Sequence, residues 1–363
     1  MRTPMILISA QAFPPASGGI QNLMQGLAEY AARTHEVLVL ADGGAEARDF
    51  DAHAPYRVER FGGPRPLRRW LKARRVAKLA RAGTVEAVFA DSWKSVEALG
   101  KDLGTPVVAY GHGNEFPVDA RKQDRVRTAL AKADALICVS EETRGRAEPS
   151  LPTGLPVHII HPPVFPHEPA GTDDVAYAEG VWAGAGPRML TMSRLIDWKG
   201  IDEAIHATAM LRADHPGLRL AIAGIGDDRA RLEGIVAECG LGDAVAFLGR
   251  VEGGRKTALL QSADIFLQPG RQVGQEREGF GITYVEAALA GTPVVSGNKG
   301  GAPEAVAVEA SGLVVDGEKT EEVAEAIRKI LIDPGRWAES ARIHGEAHLW
   351  ENQIGPILAV AGL

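Results

Sequence analysis

Short apolar runs separated by helix-length stretches recur along almost the whole chain, and this alternation limits the fold more than any other feature. Strand-like runs fall at Met5–Ala10, Glu36–Ala41, Arg57–Phe61, Val85–Ala90, Pro106–Tyr110, Ala135–Ser140 and Val157–Ile160, with helix-like segments near 20–33, 66–82, 92–103, 119–132 and 140–148. Strands that alternate with helices of this length form a parallel sheet covered on both faces. The alternation stops at His161–Pro166 and Glu168–Asp174, where Pro and acidic residues follow no period. It restarts with runs at Arg188–Ser193, Leu218–Ala223, Ala244–Leu248, Asp264–Gln268, Pro293–Ser296 and Leu313–Val315. The fold class is therefore α/β: two doubly wound, Rossmann-like domains over 1–165 and 188–345, joined by a linker over 166–187. They are expected to face a cleft, with ligands bound outside the carboxyl ends of the strands.

A chain of 363 residues is long enough for two such cores. Its 42 glycines exceed the usual share of about 7%, as many tight strand-to-helix turns would require. Cys138 and Cys239 lie far apart in sequence, which argues against a disulfide framework and fits a reducing compartment. The apolar run after Met1–Pro4 is too short for a secretory signal, and no run reaches the ~18 residues of a membrane span. A cytoplasmic location is expected. The net charge of −7 is uneven: residues 1–165 hold 22 basic against 18 acidic side chains, the remainder 18 against 29. An acidic whole of this kind does not suit nucleic acid.

Four motifs follow strands. Phe13-Pro-Pro-Ala-Ser-Gly-Gly19 comes after the first strand and before a helix, where Gly18 and Gly19 would let a ligand approach backbone amides; a plain turn is the plainer alternative. Tyr110-Gly-His-Gly-Asn-Glu115 places His112 between glycines at a carboxyl strand end, suited to reach a ligand rather than a core. Arg194 and Lys199, five residues apart on one strand-to-helix loop, suit a diphosphate, or else are two solvated charges. Glu278-Gly-Phe-Gly-Ile-Thr-Tyr-Val-Glu286 opens a helix with Gly279 and Gly281, offering amides to a phosphate and carboxylates to sugar hydroxyls. Glu278 alone could be an ordinary helix-start charge, but Glu286 in an otherwise apolar stretch could not.

Together the Glu278/Glu286 pair, the Arg194/Lys199 pair, the Gly18-Gly19 loop and Gly291-Thr-Pro-Val-Val295 resemble the retaining GT-B glycosyltransferases of family 4 over 1–345. The run from Pro269 to Glu304 is similar to that of phosphatidylinositol mannoside mannosyltransferases. The resemblance implies roles. Arg194 and Lys199 would neutralise the donor diphosphate. Glu278 and the amides of Gly279, Phe280, Gly281 and Ile282 would hold the donor sugar, with Glu286 on the ribose. His112 would sit over the sugar, Gly18 and Gly19 against the phosphate or acceptor. Arg250 and Val251 would join the donor side, Asn114 and Glu115 the acceptor side. A C-terminal helix in 346–363 would return to the first domain. The donor would be a nucleotide sugar, GDP-mannose by preference, and the acceptor a glycan or a lipid-linked sugar. No nucleophile stands out, so anomeric retention would follow a front-face route without cofactor or metal. The pairs Asp173-Asp174 and Asp227-Asp228 read as solvated turns.

Arg65–Arg81 carries eight cations and no acid. Helical spacing puts Trp70, Ala73, Ala77 and Ala80 on one face and Arg68, Lys72 and Arg75 on another. Such a helix either rests on an anionic membrane from the cytoplasmic side or packs on the sheet with a wet basic face. Three other functions compete: a UDP-sugar enzyme acting on a soluble acceptor, a nucleotide-sugar binder without turnover, and a nicotinamide dehydrogenase. The last is disfavoured because neither half carries G-x-G-x-x-G with an acid ~20 residues on.

Overall fold

A computed structural model describes residues 5–363; Met1–Pro4, where the first expected domain begins, lie outside the described residues. The described chain up to Phe165, with Trp350–Leu363, makes one compact unit, and Pro166–Leu349 makes a second. In the first, strands β1 (Met5–Ala10), β2 (Glu36–Asp42), β3 (Arg57–Phe61), β4 (Val85–Ala90), β5 (Val107–Gly111), β6 (Ala135–Cys138) and β7 (Val157–Ile159) form a sheet in the order β3-β2-β1-β4-β5-β6-β7. In the second, β8 (Arg188–Met192), β9 (Arg219–Ala223), β10 (Val245–Gly249), β11 (Ile265–Gln268), β12 (Val294–Gly297) and β13 (Gly312–Val315) run β10-β9-β8-β11-β12-β13.

All the ladders are parallel. Central strands are accordingly apolar on both faces: every residue of β1 is buried, whereas the edge strand β3 carries Arg57, Glu59 and Arg60. In each sheet the strand order reverses once, between β1 and β4 and between β8 and β11. Ligands of doubly wound sheets bind where that reversal opens a crevice at the strand ends. The Gly18-Gly19 loop follows β1 and the Arg194–Lys199 loop follows β8, so two of the four motifs start from a reversal strand.

Several local expectations differ from what is observed. The helix expected over 92–103 is only Trp93–Val96, because Asp102 and Gly104 take positive φ (54° and 71°) and turn the chain towards β5. The stretch expected as linker holds the helix Thr172–Trp182, whose Trp182 is fully buried and donates to Ser262 Oγ at 2.8 Å. Its first turn explains Asp174, which accepts from the Gly171 amide at 3.0 Å. Asp228 is not a solvated turn either: it pairs with Arg231 at 2.6 Å.

The helix Arg65–Arg81 buries Ala73 of the expected apolar face, but it also turns the expected wet face of Arg68, Lys72 and Arg75 onto the sheet and leaves Trp70 outside. Lys72 is 2% exposed and donates to the Ala10 carbonyl at 2.7 Å and to Asp42 at 2.8 Å. Arg68 pairs with Asp42 at 3.3 Å and Arg75 with Glu59 at 2.5 Å. The carboxyl ends of parallel strands present bare carbonyls, Asp42 adds charge at the end of β2, and Glu59 adds it on the edge strand β3. Long cationic side chains lie over the sheet and reach those groups with their tips. Leu67 and Trp70, 45% and 49% exposed, face outward with Arg74, Lys78 and Arg81.

The segment Trp350–Ala359 packs on the helix Gly19–Ala31 of the first unit. Trp350 is fully buried, stacked on Tyr30 at 5.7 Å, and fills the gap left by the missing side chain of Gly26.

Candidate functional site

In the second unit the loop after β8 ends in a short turn, Asp197–Lys199, and Gly200 (φ 69°) starts the next helix. A side chain at Gly200 would run into the Pro269 carbonyl, so glycine is what lets this loop lie against the one that follows β11. The close approach brings Lys199 Nζ to Glu278 Oε2 at 2.5 Å, with both side chains largely covered, and sets Nζ 4.5 Å from the centre of the Trp198 ring. Gln268, the last residue of β11, donates to the same Glu278 oxygen at 3.4 Å and to the Tyr284 hydroxyl at 3.1 Å. Tyr284 in turn donates to the Gln268 carbonyl at 2.8 Å. Both ties to Glu278 end on Oε2. Two expected residues, Lys199 and Glu278, are therefore in direct contact, while Arg194 is exposed on the same loop with no partner among the described residues.

Glu278 leads into the glycine turn. Gly301 donates to its carbonyl at 2.9 Å, and a side chain at Gly300 would collide with that carbonyl. Gly281 (φ 98°) then starts the helix Ile282–Leu289 with no side-chain cap and no acid in the first turn, and the Glu278 side chain packs beside this helix start. Phe280 is buried and its ring lies 6.1 Å from that of His348, so its side chain packs inward and only its backbone is available at the turn.

Glu286, on the second turn of this helix, is not in the Lys199 network. It pairs with Lys256 at 2.6 Å, a residue that the sequence did not single out. The Glu286 carbonyl contacts the His167 ring at 2.9 Å, and burial pushes the His167 imidazole below its ordinary pKa. Arg250 is exposed and pairs with Glu252 at 2.7 Å, and Val251 is half-buried. Behind the loop, burial alone would raise the Asp202 carboxyl, but hydrogen bonds and charge from Arg271 and Arg231 hold it below its ordinary value.

In the first unit Gly18 and Gly19 are exposed, and the helix Gly19–Ala31 starts without a side-chain cap or a first-turn acid. Arg60 donates to the Pro14 carbonyl at 2.6 Å and Arg69 to Gln11 Oε1 at 2.8 Å, so cations of this unit hold the stem of the glycine loop. His112 Nε2 lies 2.7 Å from the Asp91 carbonyl. A carbonyl only accepts, so Nε2 carries a proton, and in the neutral ring Nδ1 is left as a bare acceptor. The ring stacks on Tyr110 at 6.2 Å and 7°. Glu115 Oε1 accepts from the His112 amide at 2.6 Å and so fixes the loop itself, while Asn114 is exposed and takes a bond from Arg146 at 2.6 Å. Among the described residues no group of three or more His, Cys, Asp or Glu side chains is placed to hold a metal ion, and no helix is long and apolar enough to cross a membrane.

Two family matches tile the chain: Glycosyltransferase Family 4 over residues 17–168 and Glycosyl transferases group 1 over 178–347. A GDP-mannose-dependent alpha-(1-6)-phosphatidylinositol monomannoside mannosyltransferase of Mycolicibacterium smegmatis is 32% identical over 350 residues, covering 92% of this chain and 91% of that protein. A GDP-mannose-dependent monoacylated alpha-(1-6)-phosphatidylinositol monomannoside mannosyltransferase of Corynebacterium glutamicum is 29% identical, covering 95% and 94%. Among solved structures, Anabaena HepE in complex with UDP and glucose superposes with a TM-score of 0.77 at 20% identity, over 99% of this chain and 100% of that one. That likeness concerns the fold alone, which is GT-B.

Proposed function

The chain belongs to the family 4 glycosyltransferases, and from that premise we propose that it transfers mannose from GDP-mannose to a phosphatidylinositol-based lipid, with retention and without a metal ion. The observation that carries the chemistry is the Lys199–Glu278 pair beside an uncapped helix start. An ammonium, a free guanidinium at Arg194 and helix amides at Gly279–Ile282 form a site for a departing diphosphate. Glu278 Oε1 and Glu286 would accept hydroxyls of the sugar and the ribose.

In the step itself the acceptor oxygen attacks the anomeric carbon on the face that the leaving group departs from. The carbon–oxygen bond to the diphosphate breaks with its electron pair going to GDP, and the acceptor proton passes to the departing phosphate oxygen. Fixed cations then take the place of a metal in stabilising the leaving group. His112, with Nδ1 bare, would accept a hydroxyl. We also place the enzyme on the cytoplasmic face of a membrane, held by Leu67 and Trp70 flanked by Arg74, Lys78 and Arg81, none of which has an acidic partner within 4.0 Å among the described residues. This differs from the basic face expected from helical spacing, since Arg68, Lys72 and Arg75 are engaged on the sheet.

A screen of UDP-, GDP- and ADP-sugars, with and without EDTA, tests the reading. Turnover of GDP-mannose that survives chelation is the expected result. Turnover of UDP-glucose instead would move the function to the UDP-sugar class, and binding without turnover of any donor would leave a nucleotide-sugar-binding protein.

A further inference from the structure

Asp91 is the first residue after β4, on the strand where the order of the first sheet reverses. It is 3% exposed. Its Oδ2 accepts from the amides of Gln11 at 2.6 Å and Ala12 at 3.1 Å, the two residues that leave β1 towards the glycine loop. Its Oδ1 accepts from Ser95 Oγ at 2.6 Å and Ser92 Oγ at 3.2 Å. No cation lies within 4.0 Å among the described residues: Arg69, which is near, donates to Gln11 Oε1 instead. Burying an ionised carboxylate without a counter-ion is costly, and here neutral donors alone offset it, two on each oxygen. An apolar residue would fill the position without that cost, so what the carboxylate does for its donors is what distinguishes it.

The Gln11 and Ala12 amides belong to the stem of the glycine loop, and the Asp91 carbonyl serves the His112 loop. The same residue that gathers the Gln11 and Ala12 amides accepts from His112 Nε2 at 2.7 Å, and its own amide donates to the Ser9 carbonyl at 3.0 Å. Rotating the Asp91 peptide would therefore loosen the loop stem and release the ring together. We propose that Asp91 is a positioning residue: its side chain sets the stem of the glycine loop, and its carbonyl, held in place by that side chain, orients His112 and fixes the proton on Nε2. The inference rests on the transferase reading for its kinetic consequence, but the state of the ring is independent of any substrate.

The test uses the full chain with 15N-labelled histidine, the variants Asp91→Asn and Ser95→Ala, and steady-state kinetics with GDP-mannose. Asparagine keeps one acceptor but turns an amide N–H towards a donor on the other side. In wild-type enzyme the neutral His112 ring should be the Nε2–H tautomer. Asp91→Asn should mix in the Nδ1–H form and lower kcat by about 10²-fold, the scale on which a misplacement of roughly 1 Å acts, with the donor KM changed far less. Ser95→Ala, which removes one donor, should move both readouts the same way by a smaller amount and keeps the test open if Asp91→Asn does not fold. A ring signal identical to wild type in Ser95→Ala and in a folded Asp91→Asn would overturn the proposal. If wild-type enzyme turns over no nucleotide sugar, the transferase reading fails, while the ring signals still decide the role of Asp91.

Discussion

In the second unit each acid of the site meets a lysine, Glu278 with Lys199 and Glu286 with Lys256, whereas the buried acid of the first unit, Asp91, meets only hydrogen-bond donors. On the proposed function, the difference matches two kinds of ligand. A site that receives a diphosphate needs cations, and a lysine held by a carboxylate is positioned until a phosphate competes for it. A site that handles neutral hydroxyls needs fixed dipoles and acceptors in known protonation states, which hydrogen bonds to amides and carbonyls provide. Charge in the second unit can exchange partners; the network around Asp91 is closed.

The sharpest way to break this contrast is Lys199→Ala. Loss of a preorganised cation at the leaving group should lower kcat by about 10²-fold or more, measured at saturating donor, and near-normal turnover would reduce the Lys199–Glu278 pair to a structural ion pair. Lys256→Met should act on binding instead. Hydrogen bonds to charged groups contribute about 1.5–3 kcal/mol, so the donor KM should rise by about 10- to 100-fold with kcat nearly unchanged. An equal fall in kcat would put Lys256 on the reaction rather than on nucleotide binding.

A smaller effect concerns the outward side of the first unit. Each cation near an anionic leaflet contributes about 1 kcal/mol, screened by salt. Arg74→Glu, Lys78→Glu and Arg81→Glu together should therefore weaken binding to anionic vesicles, and sodium chloride should do the same to wild type. Arg68, Lys72 and Arg75 should matter for stability and not for vesicles. Vesicle binding indifferent to the outward trio would return the whole helix to a packing role.

The smallest effect tests the charge network behind the Arg194–Lys199 loop. Because Asp202 is held below its ordinary value in the folded state, it contributes stability above the usual carboxylate range, and that contribution is lost as pH falls through its depressed folded value. Asp202→Asn should be less stable than wild type at pH 7, with the gap closing once the pH drops well below about 4. A gap independent of pH would assign the loss to packing.

Much of this is legible in the sequence alone. Parallel strands buried on both faces read as unbroken apolar runs, which is why β1, β4 and β8 were visible as sequence. Lys199 is legible from its spacing to Arg194 on one strand-to-helix loop, and Glu278 from the glycine turn it opens and its spacing to Glu286. Lys256 is not, although with Arg255 it follows Gly253-Gly254 after β10: its partner Glu286 is 30 residues further on, and nothing local links the two. Asp91 was hidden for a similar reason: its partners Gln11 and Ala12 are about 80 residues away and use backbone amides, which leave no trace in side-chain identity. The orientation of Arg65–Arg81 was ambiguous because eight cations in 17 residues reach every face. Only the carbonyl and the acids at the strand ends decide which of them turn inward.

The central claim is mannosyl transfer to a lipid, and radiolabelled GDP-mannose incubated with vesicles containing phosphatidylinositol mannoside tests it most directly. Label should pass into the organic-extractable lipid with wild-type enzyme, in the presence of EDTA, and fall to background with Lys199→Ala. Label that stays in the aqueous phase while UDP-glucose or a soluble acceptor supports turnover would contradict the account.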